Sequence, residues 1–496
     1  GKANDKFTLL PPSITIIGDY AFYDCAKLKN VTIPNKVDSI GIRAFGLCDN
    51  LNTITFLCDQ MIDPQKINQA TNEAAFDADK GLDKKIGKIH INVRKNMLGA
   101  YQSNTFYQKF ASINPSFNAN TEEYIAVSDQ AVDLLSTTCA DHTFILPKSI
   151  EHQGKTYEVS LIGDYAFENA PSSVEEVVVK KNVKYIGAKA FVAKSNKIKS
   201  VFFIESQPTK EMLSTTRFRL DETGLNFNEF APHTKIYVKK SAYQEYKDKW
   251  TKTVYDQGTK KEKPSSLDFT SQIDYRITDF HINTKYATFA REFDVDFRDC
   301  VAENGARVAA FVAGSKIETG AGDYGTATSH IRMTSIDRHG GGSNSYAYVP
   351  AETGVLLKIL DKKNATDNNF YYTIGEKDDV QYNISNSVMC GVVGKPALVQ
   401  ASTAAPIYVI QGGMFRKCTS NLNSFPVHKA YLKLKGGAGA KLILHFDDDD
   451  TTTAIKEVSA EEATASNEAL YNLNGQRVSN PQKGIYIRQG KKVMVK

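Results

Sequence analysis

Ile17-Gly18-Asp19-Tyr20-Ala21-Phe22 is followed by Cys25, Leu28 and Val31-Thr32-Ile33, and the phrase starts again at Ile40-Gly41-Ile42-Arg43-Ala44-Phe45, with Cys48, Leu51 and Ile54-Thr55-Phe56. The two copies are 23 residues apart. It returns as Ile162-Gly163-Asp164-Tyr165-Ala166-Phe167 with Val174 and Val177-Val178-Val179, and as Ile186-Gly187-Ala188-Lys189-Ala190-Phe191 with Ile198 and Val201-Phe202-Phe203. A period in the low twenties with one aliphatic-x-aliphatic triplet per copy is what a leucine-rich solenoid requires. Each coil supplies one short strand, and stacked coils share a core that no coil has alone. On this reading the glycine permits a tight corner, Ala-Phe fills the core behind it, and Leu or Ile leads into the strand.

A longer repeat lies over the short one. Gly18 and Gly163, Phe22 and Phe167, Val93 and Val238, and Tyr101 and Tyr246 are all 145 residues apart. The later landmarks belong to Ile91-Asn92-Val93 with Tyr101 and to Ile236-Tyr237-Val238 with Tyr246, each a strand followed by an aromatic-bearing helix. The chain has therefore duplicated a whole block. Each block reads as two repeats, an irregular insertion (57–88 and 204–234), a closing strand and a helix that caps the apolar end. Alternating runs at 124–127, 131–134, 144–146 and 157–159 read as strands capping the start of the second block. The first block has no such segment, because a repeat is already under way at Leu10-Pro11-Pro12-Ser13-Ile14. A truncated or processed boundary, with a partly exposed first coil, is the expectation there.

Side chains alternate along a strand, so the middle residue of each triplet faces away from the core. Those residues are Thr32, Thr55, Val178 and Phe202. They are the candidate ligand-binding residues, and the apolar pair Val178 and Phe202 would form a contact patch unless another segment covers it.

The phrase from Ile17 to Pro34 resembles the BspA-like leucine-rich repeat family of bacterial surface proteins. The run Ile145-Leu146-Pro147-Lys148-Ser149-Ile150, continuing through Gly154-Lys155-Thr156-Tyr157-Glu158-Val159-Ser160-Leu161-Ile162-Gly163, resembles that family's lead-in to an array. The resemblance covers about residues 7 to 250, and departs from the pattern where Ala170 and Lys194 replace the cysteine. It implies a secreted or surface protein acting in adhesion and recognition.

After Trp250, the polar stretch from Asp256 to Ser266 reads as a linker closed by Pro264. Runs at 293–297, 308–312, 346–349, 355–360, 407–410 and 430–434 are apolar or alternating and separated by Gly-rich turns. They read as an all-β, sandwich-like domain, with a barrel left open. Val349 to Lys358 and Lys429 to Leu434 resemble a β-domain often placed downstream of such repeats. The acidic, Ala- and Ser-rich segment 447–469 reads as a flexible linker. Leu470 to Val478, Gly484 to Ile487 and Lys492 to Val495 read as three short strands with turn signals at Asn474-Gly475 and Gln489-Gly490. They look like the C-terminal modules that send secreted proteins of Gram-negative anaerobes to the outer surface, and a small packing tail is the other reading.

The fold class is thus β-rich α/β: leucine-rich-repeat blocks at 1–117 and 118–255, an all-β domain at 265–446, a linker at 447–469 and a β module at 470–496. At 496 residues the chain exceeds what one core sustains. With 41% apolar and 24% charged residues it is ordinary folded protein. A formal charge of +5 without Arg-aromatic clusters argues against nucleic acid. No apolar run reaches the roughly 20 residues of a membrane span. The opening Gly1-Lys2-Ala3-Asn4-Asp5 lacks an apolar signal core, so the chain is either cytoplasmic or relieved of its targeting segment. The second agrees with the resemblance and places it extracellularly or on the outer surface. Seven widely spaced cysteines suggest neither a zinc site nor a disulfide framework, and Cys25 and Cys48 read as small buried residues.

No catalytic residue, metal or cofactor is expected. Asp447 to Asp450 after His445 is a bare acidic run without the spaced oxygens and glycine of a calcium loop. His339-Gly340-Gly341-Gly342-Ser343 lacks the lysine of a phosphate loop and reads as a mobile hairpin. The nine histidines form no H-E-x-x-H pair. The expected function is non-enzymatic recognition of a host or bacterial surface protein or glycan. Two alternatives stand beside it: a carbohydrate-binding accessory protein acting through the all-β domain, and an enzyme there with close carboxylates or a Cys-His pair involving Cys300, Cys390 or Cys418.

Overall fold

A computed structural model of the chain describes residues 8–10, 14–64, 74–76, 86–180, 183–204, 208–209, 212–213, 228–256, 258–266, 268–282, 285–297, 308–321, 327–336, 348–359, 371–376, 387–436, 439–446, 456–458, 470–472, 477–478, 484–488 and 491–495. The chain divides into two compact units, Gly1–Ile277 and Thr278–Lys496.

In the first unit each block builds one parallel sheet, one strand per coil. Thr8–Leu9, Asn30–Ile33, Thr53–Phe56, His90–Val93 and Ser112–Pro115 pair in that order. Thr143–Ile145, Glu176–Val179, Ser200–Phe203, Lys235–Val238 and Ile273–Asp274 repeat the arrangement. In-register stacking places like on like: Val31, Ile54 and Ile91 form one buried column, and Ile33, Phe56 and Val93 another. The last pairing carries the first unit to Ile277, past the expected domain start at 265. The expected linker after Trp250 contains an antiparallel hairpin, Thr253–Asp256 with Lys261–Pro264.

The Ala-Phe pairs behave as the repeat demands, and they reveal a rung that the sequence pattern hid. Phe22 stacks on Phe45 at 5.3 Å, and Phe45 on Phe76 at 5.7 Å. Phe167 stacks on Phe191 at 5.4 Å, and Phe191 on Phe230 at 5.1 Å. Phe76 and Phe230 lie inside the two expected insertions. The Phe45 and Phe191 N–H groups donate to the carbonyls of Ala75 and Glu229, which fixes each segment as a further coil. Beyond these coils the helices Leu98–Ser103 and Tyr243–Trp250 close the apolar ends with buried Tyr101, Tyr246 and Trp250.

The corner glycines serve a different purpose from the one expected. Positive φ falls two residues later, at Tyr20 (57°), Arg43 (52°), Tyr165 (59°) and Lys189 (52°). Gly41 and Gly187 instead provide clearance. A Cβ on Gly41 would lie 2.4 Å from the Asp19 nitrogen, and one on Gly187 2.4 Å from the Asp164 nitrogen. The same aspartates accept hydrogen bonds from the next coil, Asp19 from the Ile42 N–H and Asp164 from the Ala188 N–H, each at 2.7 Å.

Before the second block stands a capping sheet whose strands, in order, are Ser149–His152, Lys155–Ile162, Ala131–Thr137, Glu122–Ala126 and Phe117–Ala119, with Tyr185–Ile186 also paired to Lys155–Ile162. Tyr124, Val132, Leu134, Val159 and Ile162 enter the second block's core.

The second unit is all-β among its described residues. Strands Tyr286–Phe289, Val355–Ile359, Val308–Ala321, Ala327–Ser335, Lys441–Phe446, Met414–Lys417, Ile407–Gln411, Lys429–Lys433 and Met389–Val392 form one sheet in that order. A bridge between Thr353 and Cys390 brings the approach to the second strand against the last, so the sheet bends round on itself. It encloses Phe311, Met333, Leu356, Tyr408, Phe415 and Leu432. Leu470–Tyr471, Arg477–Val478, Gly484–Arg488 and Lys491–Val495 form a further sheet, joined by Lys456–Val458 pairing parallel to Lys491–Val495. That strand interrupts the expected linker. Both turn signals, the run Asp447–Asp450 and the glycines 340–342 lie outside the described residues.

Candidate functional site

The outward faces of the block-one strands carry two polar columns. Asn30, Thr53, His90 and Ser112 are in register, as are Thr32, Thr55, Asn92 and Asn114. At one end these columns are covered. The Ala126 carbonyl in the capping sheet accepts from Thr55 Oγ1 and from Asn92 Nδ2, both at 2.8 Å. Thr32 lies beside Asp133, Leu161 and Tyr185 of the same cap.

All four residues expected to face a ligand are accordingly buried: Thr32 is 2% exposed, Thr55 0%, Val178 0% and Phe202 1%. The reading of them as an exposed patch is corrected. Alternation identified which side chains leave the core, but it carries no information about what docks on that face. Thr32 and Thr55 are the seat of the second block's cap, and Phe202 stacks on Tyr237 at 5.2 Å.

The uncovered end of the block-one face forms a cleft of about 580 Å³. Its floor includes Asn52, Thr53, His90, Asn92 and Asn114. Its far wall comes from two hairpins of the cap. One turns through Ser128 and Asp129, with the Gln130 N–H on Ser128 Oγ at 3.2 Å. The other turns through Gln153 and Gly154, whose φ of 50° and 74° suit a two-residue hairpin following the right-handed strand twist. That hairpin sets His152 opposite Lys155.

The floor is held by its own hydrogen bonds. Asn114 Nδ2 donates to Asn92 Oδ1 at 3.1 Å, and His90 Nδ1 meets Ser112 Oγ at 2.8 Å. On the wall, the His152 ring stacks on Phe117 with centroids 3.8 Å apart and planes 9° apart, and Tyr157 adjoins Phe117 at 6.0 Å. Lys155 and Asp129 pair at 3.4 Å, and the lysine lies 5.2 Å from the Tyr157 ring. Such a site offers amides, hydroxyls and flat aromatic surface.

The third and fourth strands supply most of this floor. Ile91-Asn92-Val93 had been read as a strand, so the outward direction of Asn92 follows from the same alternation used for Thr32. Asn114 sits in Ser112–Pro115, where a terminal proline masks the strand signal. His152 and Tyr157 reach the cleft only through a tertiary contact that no local pattern records.

Behind the covered end lies a buried carboxylate. Burial raises the Asp133 carboxyl well above its usual range, Asp164 nearby raises it further, and Arg94 opposes both. Asp133 Oδ1 has no hydrogen-bond partner. Asp164 is pushed up to about 6, chiefly by burial, against the hydrogen bond from Ala188. A carboxyl whose folded pKa exceeds its unfolded value binds more protons when folded. Stability is therefore greatest at acid pH and falls as pH rises toward the folded pKa. Asp133→Asn, which mimics the protonated form, is expected to flatten this slope, so that its Tm relative to the parent's is better at neutral pH than at pH 4.5. A constant Tm difference across that range would refute it.

In the second unit the most buried charged group is Arg291 with Glu292. Burial alone would raise the Glu292 carboxyl, but the hydrogen bond from His428, the Arg291 charge and the Gly394 N–H hold it well below the usual range. It has no proton to trade near neutral pH, and its role is structural. Burial raises the Cys390 and Cys418 thiols, the opposite of what a thiolate nucleophile needs. Cys300 lies outside the described residues. Cys25, Cys48, Cys58, Cys139, Cys390 and Cys418 are thiols, and Cys48 Sγ donates to the Phe22 carbonyl at 3.0 Å. Among the described residues no helix is long and apolar enough to cross a membrane.

A coil with one inward triplet, a stacked phenylalanine and a corner glycine defines a leucine-rich-repeat scaffold. The family model described as BspA type Leucine rich repeat region matches in six copies over residues 4–107 and 137–214. Among solved structures, a leucine-rich repeat protein from Bacteroides capillosus ATCC 29799 aligns at 18% identity and TM-score 0.17, covering 25% of this chain and 98% of its own. A leucine rich cell surface protein from Faecalibacterium prausnitzii A2-165 aligns at 16% identity and TM-score 0.17, covering 47% of this chain and 72% of its own. No curated protein matches.

Proposed function

We propose that the chain is a non-catalytic recognition protein of the bacterial outer surface or exterior, built on a repeat scaffold that contacts its partner in the cleft of the first block. Residues 470–496 serve on this reading as its sorting segment. The observation that carries the proposal is the uncovered end of the block-one strand face, a concave polar surface walled by aromatic rings. Solenoids recognise partners through such concave faces, and a cleft of this size falls within the range of small-ligand and side-chain sites. The match to the BspA-type repeat model supports an external location.

The accessory-protein alternative needs a cluster of exposed aromatics on the second unit. Among the described residues Tyr471 is the one exposed large aromatic there, so the cleft is the better supported site.

The test is surface plasmon resonance of the intact chain over immobilised extracellular-matrix proteins and glycoproteins. We expect at least one ligand whose binding weakens by about tenfold or more, some 1.4 kcal/mol, in Asn114→Ala/His152→Ala but not in Leu398→Ala on the second unit. Ligands that bind the double variant as well as the parent would overturn the assignment of the cleft.

A further inference from the structure

We infer that the cleft binds a short neutral oligosaccharide, an inference that rests on the cleft being the recognition site. The floor presents groups that both donate and accept: the amides of Asn52 and Asn114, the Thr53 hydroxyl, and the His90 ring. Sugar hydroxyls also do both, and they need partners of this mixed kind. Adjacent strands place these groups in rows about 4.8 Å apart, close to the span of one pyranose ring.

The rows are also fixed in advance. Asn92 donates to the Ala126 carbonyl and accepts from Asn114, so its amide orientation is settled before a ligand arrives. A ligand that meets oriented polar groups loses less in ordering them.

The wall supplies the second half of sugar recognition. The Phe117–His152 stack, with Tyr157 beside it, is flat apolar surface suited to the C–H face of a pyranose. The two full charges lining the cleft, Asp129 and Lys155, face each other at 3.4 Å. They leave no net charge that calls for a sialic acid, a sulfate or a basic peptide.

An extended peptide fits less well. Thr53–Phe56 and His90–Val93 are paired on both sides. The outer strand Ser112–Pro115 ends in a proline that has no N–H to donate to an added strand. The only aliphatic side chains lining the cleft are Ala126 and Pro115, which form no anchor pocket.

The experiment is titration of the intact chain with neutral di- to tetrasaccharides of gluco, galacto and manno configuration. Sialylated and sulfated counterparts and a random-peptide library run alongside, read by saturation-transfer NMR and calorimetry. The expected result is binding of at least one neutral saccharide, weakened by about tenfold or more in Asn114→Ala and in His152→Ala. Both variants should keep the parent's Tm and Trp250 emission. Tyr157→Phe, which removes a hydroxyl and keeps the ring, should bind nearly as the parent does.

No neutral saccharide bound at about 10 mM would overturn the inference. So would exclusive binding of charged glycans or peptides, or neutral-sugar binding untouched by both substitutions. Cleft-dependent capture of a glycan-free matrix protein with no saccharide binding would overturn the sugar assignment and leave the recognition site standing. Loss of both would overturn both.

Discussion

Replacing Lys252 with Met is expected to destabilise the first unit by about 3–5 kcal/mol. Lys252 and Glu229 form an ion pair with side chains 1% and 0% exposed. The ammonium also lies 4.8 Å from the Phe269 ring. Burial pushes the Lys252 pKa down and Glu229 pulls it part of the way back up. Removing the cation leaves the Glu229 carboxylate in the same buried site without this partner, and the cost is mainly that of a stranded charge.

The pair has an architectural role. Glu229 precedes Phe230, the third rung of its ladder, and Lys252 follows the helix Tyr243–Trp250, so the contact ties the end of the cap to the last coil. Trp250 is the chain's one tryptophan and is buried beside the pair, so its emission during urea unfolding reports on this unit. Lys252→Met/Glu229→Gln should recover most of the loss, because exchanging a whole buried pair for neutral groups is often close to neutral. A single-variant loss under about 1 kcal/mol would show that water reaches the carboxylate.

The second large effect separates two explanations of one motif. Gly18 and Gly187 occupy the same place in their coils. A Cβ on Gly187 meets backbone at 2.4 to 2.5 Å, whereas one on Gly18 meets nothing within 4 Å. Gly187→Ala is therefore expected to cost about 3 kcal/mol, at the upper end of ordinary overpacking, because backbone cannot rotate aside. Gly18→Ala is expected to be neutral or to stabilise by about 0.4–1 kcal/mol through a less flexible unfolded chain. Equal losses in the two variants would mean that the glycine is needed for corner geometry and not for clearance. Urea midpoints followed through Trp250 decide Gly187→Ala, and calorimetry decides Gly18→Ala.

How much of this was legible from residues alone follows the range of each interaction. Stacking of coils repeats at fixed spacing, so the paired triplets, the phenylalanines and the duplication could be read directly. Phe76 and Phe230 escaped because the strands that follow them arrive after irregular lengths of chain, and the eye searching for a period passes over a coil that breaks it. The apolar runs at 308–312, 355–359 and 407–410 form strands, the first two buried on both faces, and such burial needs no periodicity to be visible. Met414–Lys417 is half charged and pairs with its neighbour Ile407–Gln411 through a tight hairpin, and Lys441–Phe446 is held parallel to Ala327–Ser335, far away in sequence; neither stands out as an apolar run.

The site was the least legible part. Thr32 and Thr55 point away from the core as alternation requires, but Thr55 is covered by Ala126, 71 residues further on, and Thr32 by Asp133, Leu161 and Tyr185. His152 and Asn114 share a cleft although nothing in either neighbourhood announces the other.

Because the cap of the second block sits on the strand face of the first, the blocks are not interchangeable beads. Each added copy would consume part of the face before it and leave an open corner beside the seam. In a longer chain of this design, the number of recognition clefts would follow the number of seams between blocks. A lone block, however well folded, would have a face and no cleft.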